Sequence, residues 1–329
     1  MAASSRRPRP EAEWIRPCPA TGPPACPPCG ARGGRRAVQE NLFVPFPRAT
    51  KRPTHRLRRS SALLAATAAL LGAALSTGTA GAAVTLAVAP APVLPPANAK
   101  ADYQLGGGYT PPAGTLIVSR DRTEAPAAGL YNICYVNGFQ TQPDETAWWK
   151  RTHDDLLLKD AGGAHVEDEE WGELLLDVRT PAKRAALAGI VGGWIAGCAD
   201  KGYDAVEIDN LDTFSRSGGL VKQEHALAFA GLLIEAAHAE GLAIAQKNSA
   251  EITGAGRKAG FDFAVAEECG RYDECGTYVG AYGSNVIVIE YRRADFTKTC
   301  KRFGSRLSVM LRDVPLRKAG QRNYVYDAC

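Results

Sequence analysis

Two acidic residues stand at the last position of apolar, β-branched runs, where a chain can hold a catalytic group firmly. Asp209 ends Tyr203–Asp209 (YDAVEID) and Glu267 ends Phe261–Glu267 (FDFAVAE). A carboxylate pair flanking one bond is what glycoside hydrolysis uses: one protonates the leaving oxygen, the other attacks or stabilises the oxocarbenium-like centre. Glutamate starts with the higher reference pKa, so Glu267 is expected as general acid/base and Asp209 as nucleophile or ion stabiliser. Glu207 precedes Asp209 by two, and strand alternation points it the same way but one layer deeper. Glu268 points off the Glu267 direction, toward a salt bridge at the rim. Lys247, ending Leu242–Lys247 (LAIAQK), opens a second chemistry, a Schiff-base lyase, which borohydride trapping would reveal. A third reading is a glycan-binding protein without turnover, marked by polymer binding and no release of reducing ends. His55, His153, His165, His225 and His238 are scattered, and no Walker, GxGxxG or GxSxG motif lies between a strand and a helix. No histidine constellation supports zinc or a Ser-His-Asp site.

Eight short apolar runs must position these groups: Thr115–Ser119, Tyr131–Asn137, Leu174–Val178, Tyr203–Asp209, Leu242–Lys247, Phe261–Glu267, Val286–Glu290 and Leu307–Leu311. Apolar strands without strict alternation belong to parallel sheets buried on both faces. Between them, 181–199 begins with Pro181 and repeats apolar residues at helical spacing, as does 222–240. The pattern predicts an α/β fold, a single (β/α)8 TIM barrel over 100–329 with a degenerate first helix at 120–130; an open doubly wound sheet is the competing architecture. In a barrel the strand C-termini build the mouth, which would gather Asn137, Asp177, Arg179, Asn210, Asp212, Lys247, Glu290 and Tyr291 as substrate-binding groups. An Asp177–Arg179 ion pair would by itself explain both of those residues. Trp148, Trp149, Trp171 and Tyr291 are available to stack on sugar rings, with core packing the other use for Trp171.

The formal charge of +4 conceals a division. Residues 1–100 carry 14 Lys or Arg against 3 acids, and residues 101–329 carry 25 against 32, so the parts are +11 and −7. A body at −7 lacks the basic footprint of a nucleic-acid binder and suits a cationic partner. Residues 1–50, rich in Pro, Arg and Gly, read as disordered, and lie outside the translated protein if initiation occurs near Val44. Cys18, Cys26 and Cys29 lack the fourth ligand of a zinc knuckle. Residues 51–59 followed by the apolar stretch 61–75 resemble a secretory signal too short to span a bilayer, with cleavage after Ala82 or Ala99 and a short linker up to 99. The expected product is a secreted monomer with no membrane span. The alternative is a membrane anchor through 61–94. Export agrees with Cys134, Cys198, Cys269, Cys275, Cys300 and Cys329, an even set without CxxC spacing. Joining Cys269 to Cys275 across a five-residue loop and Cys300 to Cys329 leaves Cys134 for Cys198, one of fifteen connectivities.

Five ordered motifs, YNICYVNGFQTQP (131–143), WGELLLDVRT (171–180), VEIDNLD (206–212), LAIAQKN (242–248) and FDFAVAEEC (261–269), resemble those of glycoside hydrolase family 114, the endo-α-1,4-polygalactosaminidase family of TIM-barrel domains. The likeness covers nearly all of 102–329. It implies endo-hydrolysis of α-1,4-linked galactosamine polymers, which are cationic when de-N-acetylated, with no metal or organic cofactor. It places the family's catalytic aspartate on Asp209 and its glutamate on Glu267, and the opening element Tyr103-Gln104-Leu105 near the substrate. The family commonly has proline where this chain has Ile208.

Overall fold

The structure, a computed structural model, describes residues 91–329. The expectations for residues 1–50, the signal and its cleavage at Ala82, Cys18, Cys26 and Cys29, and most of the 61–94 anchor lie outside the described residues.

Eight parallel strands form one sheet curled into a nearly closed barrel: β1 (Ala101–Tyr103), β2 (Ile117–Asp121), β3 (Tyr131–Asn137), β6 (Ala205–Asp209), β7 (Ala243–Lys247), β8 (Phe263–Glu267), β9 (Val286–Glu290) and β10 (Ser308–Arg312). A short hairpin, β4 (Glu167–Asp168) with β5 (Glu173–Leu174), stands apart, and β11 (Tyr326–Ala328) joins β10 antiparallel. The seam between β10 and β1 is held by the fully buried Arg312–Asp102 pair at 3.0 Å and by the Tyr326 hydroxyl donating to the Ala101 carbonyl at 3.0 Å.

One expected strand is corrected. Leu174–Val178 is not in the barrel; β3 pairs directly with β6, Asn137 opposite Asp209. The backbone of Leu174–Asp177 bonds instead to 139–141 and to 156–166, in a crossing segment outside the barrel. Buried on all sides, Leu174, Leu175, Leu176 and Val178 read like a barrel strand, because an uninterrupted apolar run does not reveal which layer it occupies. The eighth strand is β1, too short at three residues to register as an apolar run.

The helices are α1 (Thr146–Thr152), α2 (Pro181–Lys201), α3 (Thr213–Arg216), α4 (Gln223–Ala239), α5 (Thr253–Ala259), α6 (Cys275–Tyr282) and α7 (Arg293–Phe303). The Thr180 hydroxyl caps α2 by accepting from the Lys183 N–H at 3.3 Å, Pro181 takes the first turn, and Gly202 ends it at φ 86°. No helix stands between β1 and β2 or between β2 and β3, so two connections rather than one are degenerate.

Alternation divides each strand between two cores. Cys134, Val136, Val206, Ile208, Ile244, Ala264, Ala266 and Val288 face the helices. Ile133, Ala205, Ala243, Ala245, Phe263, Val265, Ile287, Ile289 and Met310 fill the barrel interior. Disulfides join Cys134 to Cys198, Cys269 to Cys275, and Cys300 to Cys329, fixing β3 to α2, the turn after β8 to α6, and α7 to the C-terminus. Among the described residues no helix is long and apolar enough to cross a membrane.

Candidate active site

Above the apolar interior, the inward positions of β6, β7 and β8 turn polar together. Their register brings Glu207, Asp209, Lys247 and Glu267 to one point. The Lys247 ammonium lies 3.3 Å from Glu207 Oε1, 3.2 Å from Asp209 Oδ1 and 3.1 Å from Glu267 Oε2. Asp209 Oδ1 and Glu267 Oε2 therefore lie no farther apart than the sum of their distances to Lys247, 6.3 Å. Burial pulls the ammonium down, but Asp209, Glu267 and Glu207 outweigh it and hold Lys247 well above its usual pKa. An amine whose protonated form is stabilised by three carboxylates is a poor nucleophile, which argues against the Schiff-base reading.

Asp209 is fixed from three sides. The Tyr135 hydroxyl donates to Oδ2 at 2.7 Å, and the Asn210 backbone N–H to Oδ1 at 2.7 Å, beside the Lys247 contact. Burial pushes this carboxyl up, and Lys247, Tyr135 and Asn210 together bring it below the usual aspartate value. Glu267 accepts from Asn248 Nδ2 at 3.0 Å and from the Tyr291 hydroxyl, while its own N–H donates to Asn248 Oδ1 at 2.8 Å. The chain turns sharply after each group: Asn210, Asn248 and Glu268 have φ of 66°, 49° and 54°. Asparagine tolerates this region, whereas a glutamate there costs roughly 1–2 kcal/mol. The turn swings Glu268 outward to Arg271 at 2.8 Å, the rim salt bridge expected of it.

One layer down, Glu207 is fully buried, with Oε1 accepting from the Tyr103 hydroxyl at 2.5 Å and Oε2 without a partner. Burial pushes its carboxyl up to about 7 against the pull of Lys247. Tyr103, itself 1% exposed, thus belongs beneath the mouth rather than against substrate.

The remaining expected residues divide. Asn137 and Asn210 stand beside Asp209, the Asn210 amide donating to Asn137 Oδ1 at 2.9 Å. Asp212 faces Arg216 at 2.5 Å, and Arg216 also holds Asp168 at 2.9 Å. Asp177 and Arg179 are not brought to Asp209: Asp177 binds Arg179 at 2.8 Å and Lys183 at 2.6 Å, the self-contained pair that explains both. Glu290 is also placed elsewhere. It shares the outward phase of Val286 and Val288, and accepts from the Gly270 N–H at 2.7 Å and Thr299 at 3.2 Å. Gly270 has no room for a side chain, since a Cβ would lie 1.7 Å from Thr299 Oγ1. Trp149 is fully buried in the outer core, and Trp171 is 55% exposed, so it is not core.

Two neighbours were missed from sequence, Tyr135 and Glu173, whereas Asn248 directly follows Lys247 and closes the motif LAIAQKN. Tyr135 carries a signal, since it shares the inward phase of Asn137. Glu173 carries none, because its position depends on the hairpin β4–β5. Its Oε2 accepts from Asn137 at 2.9 Å and Asn210 at 3.3 Å, and burial pushes its carboxyl up to about 7. The described residues offer Cys269, Cys275 and Glu290 as a cluster of metal-ligating types, but both cysteines are bound in their disulfide.

The model of glycoside-hydrolase family GH114 matches residues 82–329. The chain belongs to this family and is a glycoside hydrolase. Among solved structures it is similar to Aspergillus fumigatus Ega3 in complex with galactosamine, at 22% identity and TM-score 0.60, covering 73% of this chain and 98% of that one. It is also similar to the glycoside hydrolase domain of PelA from Pseudomonas aeruginosa, at 15% identity and TM-score 0.50, covering 68% and 97%. At these identities the likeness carries the TIM-barrel fold. No curated protein sequence matches this chain.

Proposed function

We propose that this GH114 member is a secreted endo-hydrolase of α-1,4-linked galactosamine polymers, with Glu267 as general acid/base and Asp209 as nucleophile. The observation that carries the reading is the shared lysine: Asp209 and Glu267 meet one ammonium at 3.2 and 3.1 Å. Asp209, held low by Lys247 and two further donors against its burial, is suited to remain ionised and attack. The cap of 6.3 Å on the separation of Asp209 Oδ1 and Glu267 Oε2 is compatible with the ~5–5.5 Å of a retaining pair, and Asp209 as nucleophile would then form a glycosyl-enzyme intermediate. The substrate class is supported by the family, by the galactosamine bound to Ega3, and by the −7 charge of residues 101–329.

Export is supported by the three disulfides, which persist in oxidising compartments. Leader cleavage after Ala82 fits better than after Ala99, because Ala99 is buried and the Tyr131 hydroxyl donates to the Val93 carbonyl at 2.7 Å, so the later cut would remove packed chain. The protein acts as a monomer, without metal or organic cofactor.

The test is incubation of the purified protein with defined de-N-acetylated α-1,4-galactosamine oligomers, reading product sizes by mass spectrometry and anomers by NMR. Internal cleavage with the α-anomer formed first is expected. Binding without new reducing ends would replace hydrolysis by the glycan-binding reading, and first-formed β-anomer would overturn retention.

A further inference from the structure

The acids nearest Asp209 are served by two cations, and Glu173 is left without one. Lys247 serves Asp209, Glu267 and Glu207, and Arg216 serves Asp168 and Asp212. Glu173 has no cation within salt-bridge distance among the described residues. It is held by neutral amides, all on one oxygen: Oε2 accepts from Asn137 at 2.9 Å and Asn210 at 3.3 Å. Gln140 adds a third at 2.9 Å in the amide orientation that also lets its oxygen accept from Arg216 Nε at 3.2 Å and Thr213 at 3.1 Å. No donor among the described residues reaches Oε1.

Three amides aim a carboxylate without neutralising its charge, which leaves a cation-binding oxygen beside the catalytic aspartate. The link to that aspartate is short: Asn210, which binds Glu173 through its side chain, holds Asp209 through its backbone N–H at 2.7 Å. We propose that Glu173 Oε1 receives the ammonium group of an aminosugar unit in the subsite next to Asp209, so that Glu173 selects for the free amine over the N-acetylated form. The inference rests on the aminosugar reading above and sharpens it to one residue. An acetamido group brings no charge and adds bulk against an oxygen that has no donor of its own, whereas an ammonium supplies the counter-charge the protein omits. The charged groups facing Glu173 are Asp209 from β6, Asp168 from β4 and Arg216 from α3, and burial is the largest influence, pushing the carboxyl up to about 7.

Two measurements test this on the whole protein. In steady-state hydrolysis of a de-N-acetylated α-1,4-galactosamine oligomer, Glu173→Gln is expected to raise KM at least tenfold and leave kcat within about threefold, the pattern of a lost binding contact. A fall in kcat at unchanged KM would assign Glu173 to supporting Asn210 and Asp209 and overturn the proposal, as would no change in either constant. The second reads galactosamine binding to the wild-type enzyme between pH 8 and 6. The amine becomes more fully charged as pH falls, so weaker binding on acidification points to a carboxyl, and its persistence in Glu207→Gln, whose native carboxyl is also pushed up to about 7, assigns it to Glu173. That weakening is expected, and binding that is flat or tighter at pH 6 would overturn the proposal even if the Gln variant failed to fold. Absence of hydrolysis and of galactosamine binding by the wild type would remove the aminosugar reading itself, and this inference with it.

Discussion

Asp177 and Asp209 each come near the end of an apolar run, each is bound by a lysine, and each is held below the ordinary aspartate value against the effect of burial. Their surroundings differ in charge balance. Asp177 is one carboxylate between two cations, Arg179 at 2.8 Å and Lys183 at 2.6 Å, and it is pulled down to about 2. Asp209 is one of three carboxylates around a single ammonium. The first group is neutralised by its own cations and fastens the crossing segment to α2. The second keeps surplus negative charge in a desolvated mouth, where a developing oxocarbenium ion would be stabilised. Counting charges within each cluster therefore separates a fastening from the proposed reaction centre, although both look alike as acids near strand ends.

Lys247→Met and Asp177→Asn would break this comparison most directly. Removing Lys247 leaves the buried Glu207 and the half-buried Asp209 and Glu267 without their cation and should cost about 3–5 kcal/mol in urea unfolding, with hydrolysis lost. Asp177→Asn leaves two partly exposed cations and should cost about 1–3 kcal/mol, with kcat/KM of the folded variant within severalfold of wild type. Comparable losses of activity would abolish the distinction.

The disulfides sharpen it. Cys134–Cys198 spans 64 residues on the α2 side, and Cys269–Cys275 spans 6 behind Glu267. Replacing each pair by alanine should cost about 4 and about 2 kcal/mol respectively by loop-closure entropy, while the smaller loss carries the larger fall in kcat. Thermal denaturation and turnover measured on both double variants check the crossed order.

A smaller effect concerns Glu207, whose folded pKa of about 7 lies above the usual glutamate value. The folded state then binds the proton more tightly, so this group's contribution to stability is fully present below pH ~4.3 and declines as pH rises through 7. Glu207→Gln should remove that decline, on the order of 3 kcal/mol, in unfolding curves taken between pH 4.5 and 7.5. Smallest is salt: the −7 body should lose about threefold in kcat/KM on the cationic polymer between low and high ionic strength, with a neutral analogue unaffected.

Strand ends in barrel register were legible in the sequence. Asp209, Lys247 and Glu267 follow apolar strands directly, and two-residue alternation placed Glu207 beneath them. Glu290 was misjudged for the same reason in reverse, since the last residue of β9 has the outward phase, and an all-apolar strand conceals its phase. Leu174–Val178 was misplaced because burial in a crossing segment and burial in a sheet demand the same side chains. Glu173 was invisible because its hairpin joins it to Asn137 and Asn210 from more than thirty residues away in the chain. The cysteine pairing drawn from spacing matches the structure in all three bridges.

The central claim, that Asp209 and Glu267 perform the hydrolysis, is tested most directly by turnover of a de-N-acetylated α-1,4-galactosamine oligomer by Asp209→Asn and Glu267→Gln. Each isosteric change should lower kcat by about 10²–10⁴-fold with thermal stability near wild type. Near-normal turnover by either variant would contradict the account.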